Sequence, residues 1–526
     1  MKFKYIYLII TAFVIVAAAS CKKDLTNVNT SPTSIPGENY DPNFLLTTVQ
    51  LMYTGSTNFG GSAWATKWGG VACFVQHTAS VNTTYYYGDK YLNNTGYMGE
   101  MFHDSYTSEI QPVVELYRLT LDKPQYRNLH QMARIMKAMA FQQITDLYGD
   151  IPYFQAGLGY YERIYTPAYD KQEVIYPDLL KEVSQAVDSL SESADKPSGD
   201  ILYSAASDQI GQWKKFGNSL LVRMAMRLSK VDATTAQTFL TKAAANTMKS
   251  NDDNAIVQFQ DGNQLTQNRD AIEIFGNDSA DLKLSWAFIN NMKINHDPRL
   301  PVVAWIYATN GNGGITSDDN PADQIGMPSG YIAGGNNPAV NIYKIKNRDS
   351  LPRTLIQGYS RLNNNILNTT APSLILTYAE TELLLADAAK RWGIGGDAAT
   401  HYKNGVLAAV TQLSVYGSAA AISDADANAY YNSIMYNDAN ALEQINTQYW
   451  LCTLMDEYES WSNWRRTGYP ILKPVNYPGN VTNGTIPRRL TYPPDQKINN
   501  LANYNAAVAQ LTGGDNMTSR VWWDTK

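Results

Sequence analysis

The residue types that carry out chemistry are scattered through this chain. None of its five histidines, His77, His103, His130, His296 and His401, falls in a His-Glu-x-x-His or other metal-ligand spacing. His296 stands in Asn-His-Asp-Pro-Arg, where a turn-stabilising role is expected. Cys73 and Cys452 form no Cys-x-x-Cys, so neither a redox motif nor a zinc site is indicated; two buried thiols and one long-range disulfide both fit. Glu380 and Glu382 lie near the start of an apolar helix, where the dipole favours anions. At i and i+2 they point to different faces, which does not suit paired acid–base work. No Gly-x-Ser-x-Gly occurs. Gly311-Asn-Gly-Gly314 lacks the helix and Lys of a phosphate loop. Ser317-Asp-Asp-Asn-Pro-Ala-Asp323 has oxygen ligands without the spacing of a calcium loop. These patterns predict no catalytic residue, no metal and no cofactor.

The aromatic residues are more informative. There are 36 Tyr against 13 Phe, and 11 Trp, a set polar enough for half-exposed rings. Trp64, Trp68, Tyr85, Tyr86, Tyr87 and Tyr91 lie outside helical periodicity, in a stretch rich in Gly, Ser, Thr and Asn. Three consecutive tyrosines cannot all face inward, so some ring or hydroxyl is expected at the surface. Trp286, Trp305 and Tyr307 form a second group, with Asn310, Asn312 and Asp318–Asp319 nearby. Exposed rings suit sugars, whose C–H face lies flat on an aromatic plane while hydroxyls pair with amides and charged groups. A stack that removes about 100 Å² of apolar surface is worth roughly 2.5 kcal/mol before ordering costs. The other reading is that these rings anchor loops or pack on a partner protein.

The elements that must position these rings are mainly helical. The chain has 526 residues, 44% apolar and 17% charged, enough for a sizeable core. Its formal charge of −6 becomes more negative without Lys2 and Lys4, which makes nucleic acid an unsuitable partner. Periodicity predicts helices over 43–59, 105–121, 129–148, 171–190, 212–228, 233–248, 372–391, 398–416, 424–436 and 439–459. They arrive two by two, as in α-α stacking, at irregular intervals. Residues 260–370 are rich in Gly, Asn, Asp and Pro and read as a long, irregular excursion, of the kind that is usually functional.

Residues 1–20 read as a signal peptide: Lys2 and Lys4, an apolar run from Ile6 to Ala17, then Ala18-Ala19-Ser20 directly before Cys21. The apolar run is short for a membrane span. Small residues before Cys resemble a bacterial lipobox, with Ala18 in place of the usual Leu. An acylated Cys21 makes a stable anchor when several chains are attached, and residues 21–42 then read as the lipidated Cys and its tether. Residues 43–526 are expected to form one α domain.

A set of phrases runs through that domain: Leu147-Tyr-Gly-Asp-Ile-Pro-Tyr153, Trp213-Lys-Lys-Phe-Gly-Asn-Ser-Leu220, Asn295-His-Asp-Pro-Arg299, Tyr378-Ala-Glu-Thr-Glu-Leu-Leu-Leu-Ala-Asp-Ala388, Trp461-Ser-Asn-Trp-Arg-Arg-Thr-Gly-Tyr-Pro470, Ile486-Pro-Arg-Arg-Leu-Thr-Tyr-Pro-Pro494, Lys497-Ile-Asn-Asn500 and Val521-Trp-Trp-Asp524. Together with the lipobox they resemble the SusD/RagB family of surface lipoproteins of Bacteroidota, in order and over nearly the whole mature chain. The resemblance implies an all-α fold of four tetratricopeptide-like helix pairs with long loops and a few short strands. It implies a lipid-anchored protein on the outer face of the outer membrane, the lid of a SusC-type TonB-dependent transporter, capturing oligomeric nutrients without catalysis. Glycans are the usual ligands, and the family site draws on the first loop and the central excursion, here Trp64–Tyr91 and Trp286–Tyr307. Peptide ligands are the alternative within this role. A surface glycosidase, with two carboxylates across a cleft, is the alternative from another class, and a structural subunit with a vestigial pocket is a third. Most of the quoted phrases read as scaffold: Trp461 and Trp464 pack inward, Arg465 and Arg466 pair with carboxylates or helix ends, and Trp522 and Trp523 pin the C-terminus.

Overall fold

A computed structural model describes residues 40–55, 61–277, 281–309, 315–344 and 358–525. Cys21, Asn310, Asn312 and the Gly311–Gly314 tip lie outside the described residues. Contacts gather residues 43–526 into one unit. The helices of eight residues or more are α1 (Asn43–Tyr53), α2 (Thr95–Asp104), α3 (Gln111–Thr120), α4 (Arg127–Tyr148), α5 (Gln172–Ser189), α6 (Gln209–Arg227), α7 (Ala233–Ala243), α8 (Trp286–Ile294), α9 (Tyr378–Trp392), α10 (Ala398–Thr411), α11 (Asp424–Ser433), α12 (Ala441–Cys452), α13 (Glu457–Thr467) and α14 (Leu501–Val508). No described helix is long and apolar enough to cross a membrane.

Local sequence fixes many of the ends. Asp208, Asp232, Thr377, Asp397, Ser423 and Asp456 each accept a backbone N–H in the first turn of α6, α7, α9, α10, α11 and α13, the usual satisfaction of orphan donors. Gly393 and Gly468 end α9 and α13 in the left-handed conformation, which costs glycine no Cβ clash. Consecutive helices then pack as neighbours: α3 with α4, α5 with α6, α9 with α10, and α12 with α13. α6 also meets α9, which joins the two halves of the chain.

That junction is ionic. Arg223 of α6 donates twice to Glu380 of α9, at 2.6 Å each. Arg227, one turn on, pairs with Asp146 of α4 at 3.1 Å and with Glu459 of α13. Tyr449 Oη bridges Glu380 and Glu459 at 2.9 and 2.6 Å. Every one of these groups is buried, so each charge holds its place only through its partners.

Several boundaries differ from the periodicity. α1 ends at Tyr53. The region predicted as one helix over 439–459 is two, because residues 453–456 turn the chain, Met455 taking a φ of +85°. Residues 373–376 form a strand ahead of α9. The Gly-rich first loop holds a π-helical stretch, Gly61–Val71, and a second, Ser105–Ile110, joins α2 to α3. A π turn needs an i→i+5 bond, and apolar spacing of three and four does not announce it. The central excursion is not only loop. It contains α8 and four of the nine described strands: β2 (Leu282–Leu284) pairs with β1 (Thr78–Ser80) of the first loop, and β3 (Ala304–Thr309) lies between β4 (Ile315–Asp318) and β5 (Arg361–Leu362). The β1–β2 ladder ties the first loop to the excursion just before α8.

Candidate functional site

Trp286 opens α8, and the chain before it is held firmly. Ser285 caps the helix, its Oγ accepting from Phe288 N–H at 3.1 Å while donating to the Gln76 carbonyl. The Trp286 N–H donates to the Met327 carbonyl at 2.8 Å. Trp286, Asn290 and Ile294 then share one face at i, i+4 and i+8. That face lines an open cleft of about 700 Å³, within the usual range of ligand sites.

The opposite wall is the extended segment 470–476. Gln76 Nε2 donates to the Lys473 carbonyl at 2.6 Å, and the Val475 N–H donates to the Tyr91 hydroxyl at 3.2 Å. The Lys473 ammonium sits 5.9 Å from the Trp286 ring centre, a cation–π distance. A third wall comes from Pro328–Tyr331. Gly330 has a φ of +83°, and a Cβ there would meet Val475 Cγ1 at 2.3 Å, so any side chain there would strain the backbone and push the opposite wall aside. Trp450 closes the floor. It is buried, with its indole N–H on the Val75 carbonyl at 2.9 Å.

The chemistry offered by the cleft is neutral and polar. The indole N–H of Trp286 and the side-chain amide of Asn290 have no hydrogen-bond partner among the described residues, although both residues line the opening. Asn291 and Asn476 add amides, and Ile471 is 72% exposed on the rim. A half-buried ring, side-chain amides, that of Asn290 unpaired among the described residues, and one ammonium suit a ligand with apolar C–H faces and many hydroxyls. No carboxylate lines the cleft among the described residues.

The other ring positions from the sequence have different fates. Trp68, Tyr86, Tyr87 and Tyr91 are buried, not ligand-facing. Trp68 is pinned by its indole N–H to Asp270 at 2.7 Å, and Tyr91 supports the 470–476 wall. These residues lie outside helical periodicity, yet the π-helical stretch and the turn after it carry them into the core. Tyr85 stays 42% exposed. It packs with Trp64 and Tyr97 at ring-centre distances of 5.5 and 6.5 Å, a surface patch that does not line the cleft. Trp305 is also buried, its indole N–H on the Leu362 carbonyl at 3.0 Å. It meets Tyr307 edge-on, with ring centres 4.7 Å apart, and the Arg361 guanidinium lies 5.0 and 5.5 Å from the two ring centres. Of the nine ring positions, only Trp286 lines the cleft. Tyr331, Asn290, Asn291, Lys473 and Asn476 were missed. The sequence held one signal for the last two: the segment after Pro470 alternates Pro with apolar residues and has no period.

The scaffold phrases resolve in detail. Glu380 pairs with Arg223, whereas Glu382 accepts from Asn404 and meets His401 at 2.9 Å, so the two carboxylates serve different contacts. Arg466 pairs with Asp387 at 2.9 Å. Arg465 has no carboxylate partner among the described residues. It lies 3.8 Å from the Trp461 ring centre and donates to the Arg488 carbonyl, and burial pushes its guanidinium down to about 9. Trp461 and Trp523 are fully buried, whereas Trp522 is half-buried in a surface cleft. Cys73 and Cys452 are free thiols. His296 takes a left-handed φ of +49°, and Asp297 and Arg299 beside it form a buried pair at 2.6 Å.

The molecule is a scaffold of paired helices carrying a wide cleft lined by rings and amides. Comparison gives the family. The sequence model described as starch-binding, associating with outer membrane, matches residues 38–493, and the chain belongs to this SusD-like family, whose members are binding proteins associated with the outer membrane. A solved chitin-binding protein is 33% identical, with a TM-score of 0.80 over 92% of this chain and 100% of that one. A SusD-like protein from Bacteroidetes is 24% identical, with a TM-score of 0.79 over 93% and 100%. A SusD homologue from Bacteroides thetaiotaomicron is 24% identical, with a TM-score of 0.72 over the same shares. These last two show the shared fold. No curated protein matches the chain.

Proposed function

We propose that this protein is a lipid-anchored, non-catalytic capture protein for oligosaccharides, and that the Trp286 cleft is its glycan site. The observation that carries the reading is the pairing of an unpartnered indole and an unpartnered Asn290 amide on successive turns of α8, inside a cleft of about 700 Å³. The chitin-binding relative favours N-acetylhexosamine chains, whose acetamido groups would match the amide-rich wall. Residues 1–20 would be the signal peptide, Cys21 the acylated residue and 22–42 the tether. The partner would be a SusC-type TonB-dependent transporter at the outer surface of the outer membrane, with this chain as its lid.

Calorimetry of residues 21–526 against chitin oligosaccharides, other glycans and short peptides tests the reading. Saturable heat with a glycan, weakened at least ~10-fold by Trp286→Ala, is the expected result, since one ring stack contributes roughly 2.5 kcal/mol. Heat from peptides alone would overturn the glycan assignment. Hydrolysis of the oligosaccharide by the purified protein would overturn the binding-only role.

A further inference from the structure

A second cavity, of about 90 Å³, lies between the two π-helical stretches and α13 and shares no lining residue with the glycan cleft. Most of its charges are matched. Lys67 meets Asp270 at 2.6 Å, Arg223 meets Glu380 at 2.6 Å, and Asp104 accepts from Ser62 N–H at 2.8 Å. Glu109 is the exception. The wide turn of Ser105–Ile110 carries it inward, where it is 3% exposed. It makes no ion pair or hydrogen bond among the described residues, and its Oε1 is buried without a donor. Gln143 of α4 also lines the cavity, and its Oε1 is likewise buried without a donor. Asp456, the cap of α13, faces the same space, 3.7 Å from Arg223.

Two donor-less acceptor oxygens lining one buried cavity call for a ligand that brings N–H donors, and the carboxyl among them for one that brings positive charge. Among the described residues no three His, Cys, Asp or Glu side chains converge as a metal set, so a divalent cation lacks its ligands. A primary ammonium is held by fewer acceptors, and the volume admits one with a short alkyl arm. We propose that this cavity binds a protonated primary amine, with Glu109 as counter-ion and the Gln143 carbonyl as a further acceptor.

Burial pushes the Glu109 carboxyl up to about 8, with no neighbouring charge contributing, and Asp456 up to about 7. The other titratable groups around the space are Asp104, the Lys67–Asp270 and Arg223–Glu380 pairs, the Tyr53, Tyr416 and Tyr458 phenols and the Cys452 thiol. Burial pushes the three phenols and the thiol up, so they remain neutral. At pH 7 the empty site therefore holds a proton on Glu109. Arrival of R–NH₃⁺ favours the carboxylate, and that proton leaves to solvent as the ion pair forms. The charge and proton count balance without a co-reactant.

The test is calorimetry of residues 21–526 with methylammonium chloride at pH 7, in phosphate and in HEPES, whose ionisation heats differ. Saturable binding is expected, with up to one proton released per amine and no response to tetramethylammonium. Glu109→Gln should remove the proton release and weaken binding at least ~10-fold, since a charged hydrogen bond is lost. Gln143→Leu, which leaves the charge in place, should weaken binding while keeping the proton release. Glucosamine binding alongside a silent N-acetylglucosamine would place the amine on a sugar, and methylammonium alone would place it on a small free amine; both support the site. No saturable heat with methylammonium, undiminished binding by a folded Glu109→Gln, or equal competition by potassium would overturn it.

Discussion

Seven tryptophans are fixed by an indole hydrogen bond inside the protein, whereas Trp286, at the start of α8, lines the cleft with its indole N–H unpaired among the described residues. Trp68, Trp213, Trp305, Trp450, Trp461, Trp464 and Trp523 all donate to an acceptor inside the protein. A buried N–H without a partner would be costly, so those acceptors mark the residues as core. Trp286 has none, because its ring edge opens onto the cleft. The sequence holds both kinds in similar polar surroundings, and the acceptors lie from 6 to 377 residues away, 57 for Trp305, which is why Trp305 and Trp286 read alike before folding. The two should separate cleanly on substitution. Trp305→Ala should cost about 3–5 kcal/mol of stability, as large core truncations do, measured by urea denaturation. Trp286→Ala should leave the denaturation midpoint nearly unchanged while oligosaccharide heat is lost. Loss of stability in the second variant without loss of binding would reverse the assignment.

At the scale of elements, what could be read was the helix set and what could not was its interruptions. Ile135, Met136, Met139 and Leu147 make α4 plain, because apolar spacing of three and four has one simple reading. The break between α12 and α13 is not plain. Asp456 caps and Met455 turns, yet apolar spacing runs through both. The cleft walls were hidden for a related reason: 328–331 and 470–476 have no period, and long-range bonds position them, Gln76 and Tyr91 holding 470–476 and Asp89 accepting from the Gly330 N–H. Gly330 tests that construction. Gly330→Ala places a methyl against Val475 in a left-handed backbone, so the 470–476 wall must shift. The expected outcome is a destabilisation of about 1 kcal/mol or more, with oligosaccharide affinity lowered and the Trp286 ring still in place. Unchanged affinity would show that this wall does not contact ligand.

The whole molecule is held by charges in its interior, and this makes its stability pH-dependent in a way the net charge of −6 does not foretell. Composition counts ionisable groups but not which of them become buried, or beside what. Glu109 has a folded-state pKa of about 8, above its ordinary 4.5. An acid raised on folding contributes stability that is fully present below about 4.5 and is lost as pH rises through about 8. Lys283 works in the next window. Burial, with Arg361 beside it, pushes its ammonium down to about 7 from 10.5. Between those values the unfolded chain binds more protons than the folded one, so stability rises with pH. The two slopes oppose each other only near neutrality, and single substitutions isolate them. Relative to the parent, Glu109→Gln should become progressively more stable from pH 5 to 8 and track the parent at constant offset above that. Lys283→Met should gain most below pH 7, where the parent must hold a buried ammonium, and lose that advantage towards pH 10. Urea denaturation midpoints of the three proteins at pH 5, 7 and 9 measure both slopes. Parallel profiles for parent and Glu109→Gln would mean that Glu109 keeps an ordinary carboxyl pKa, and with it the proton release expected on amine binding would disappear.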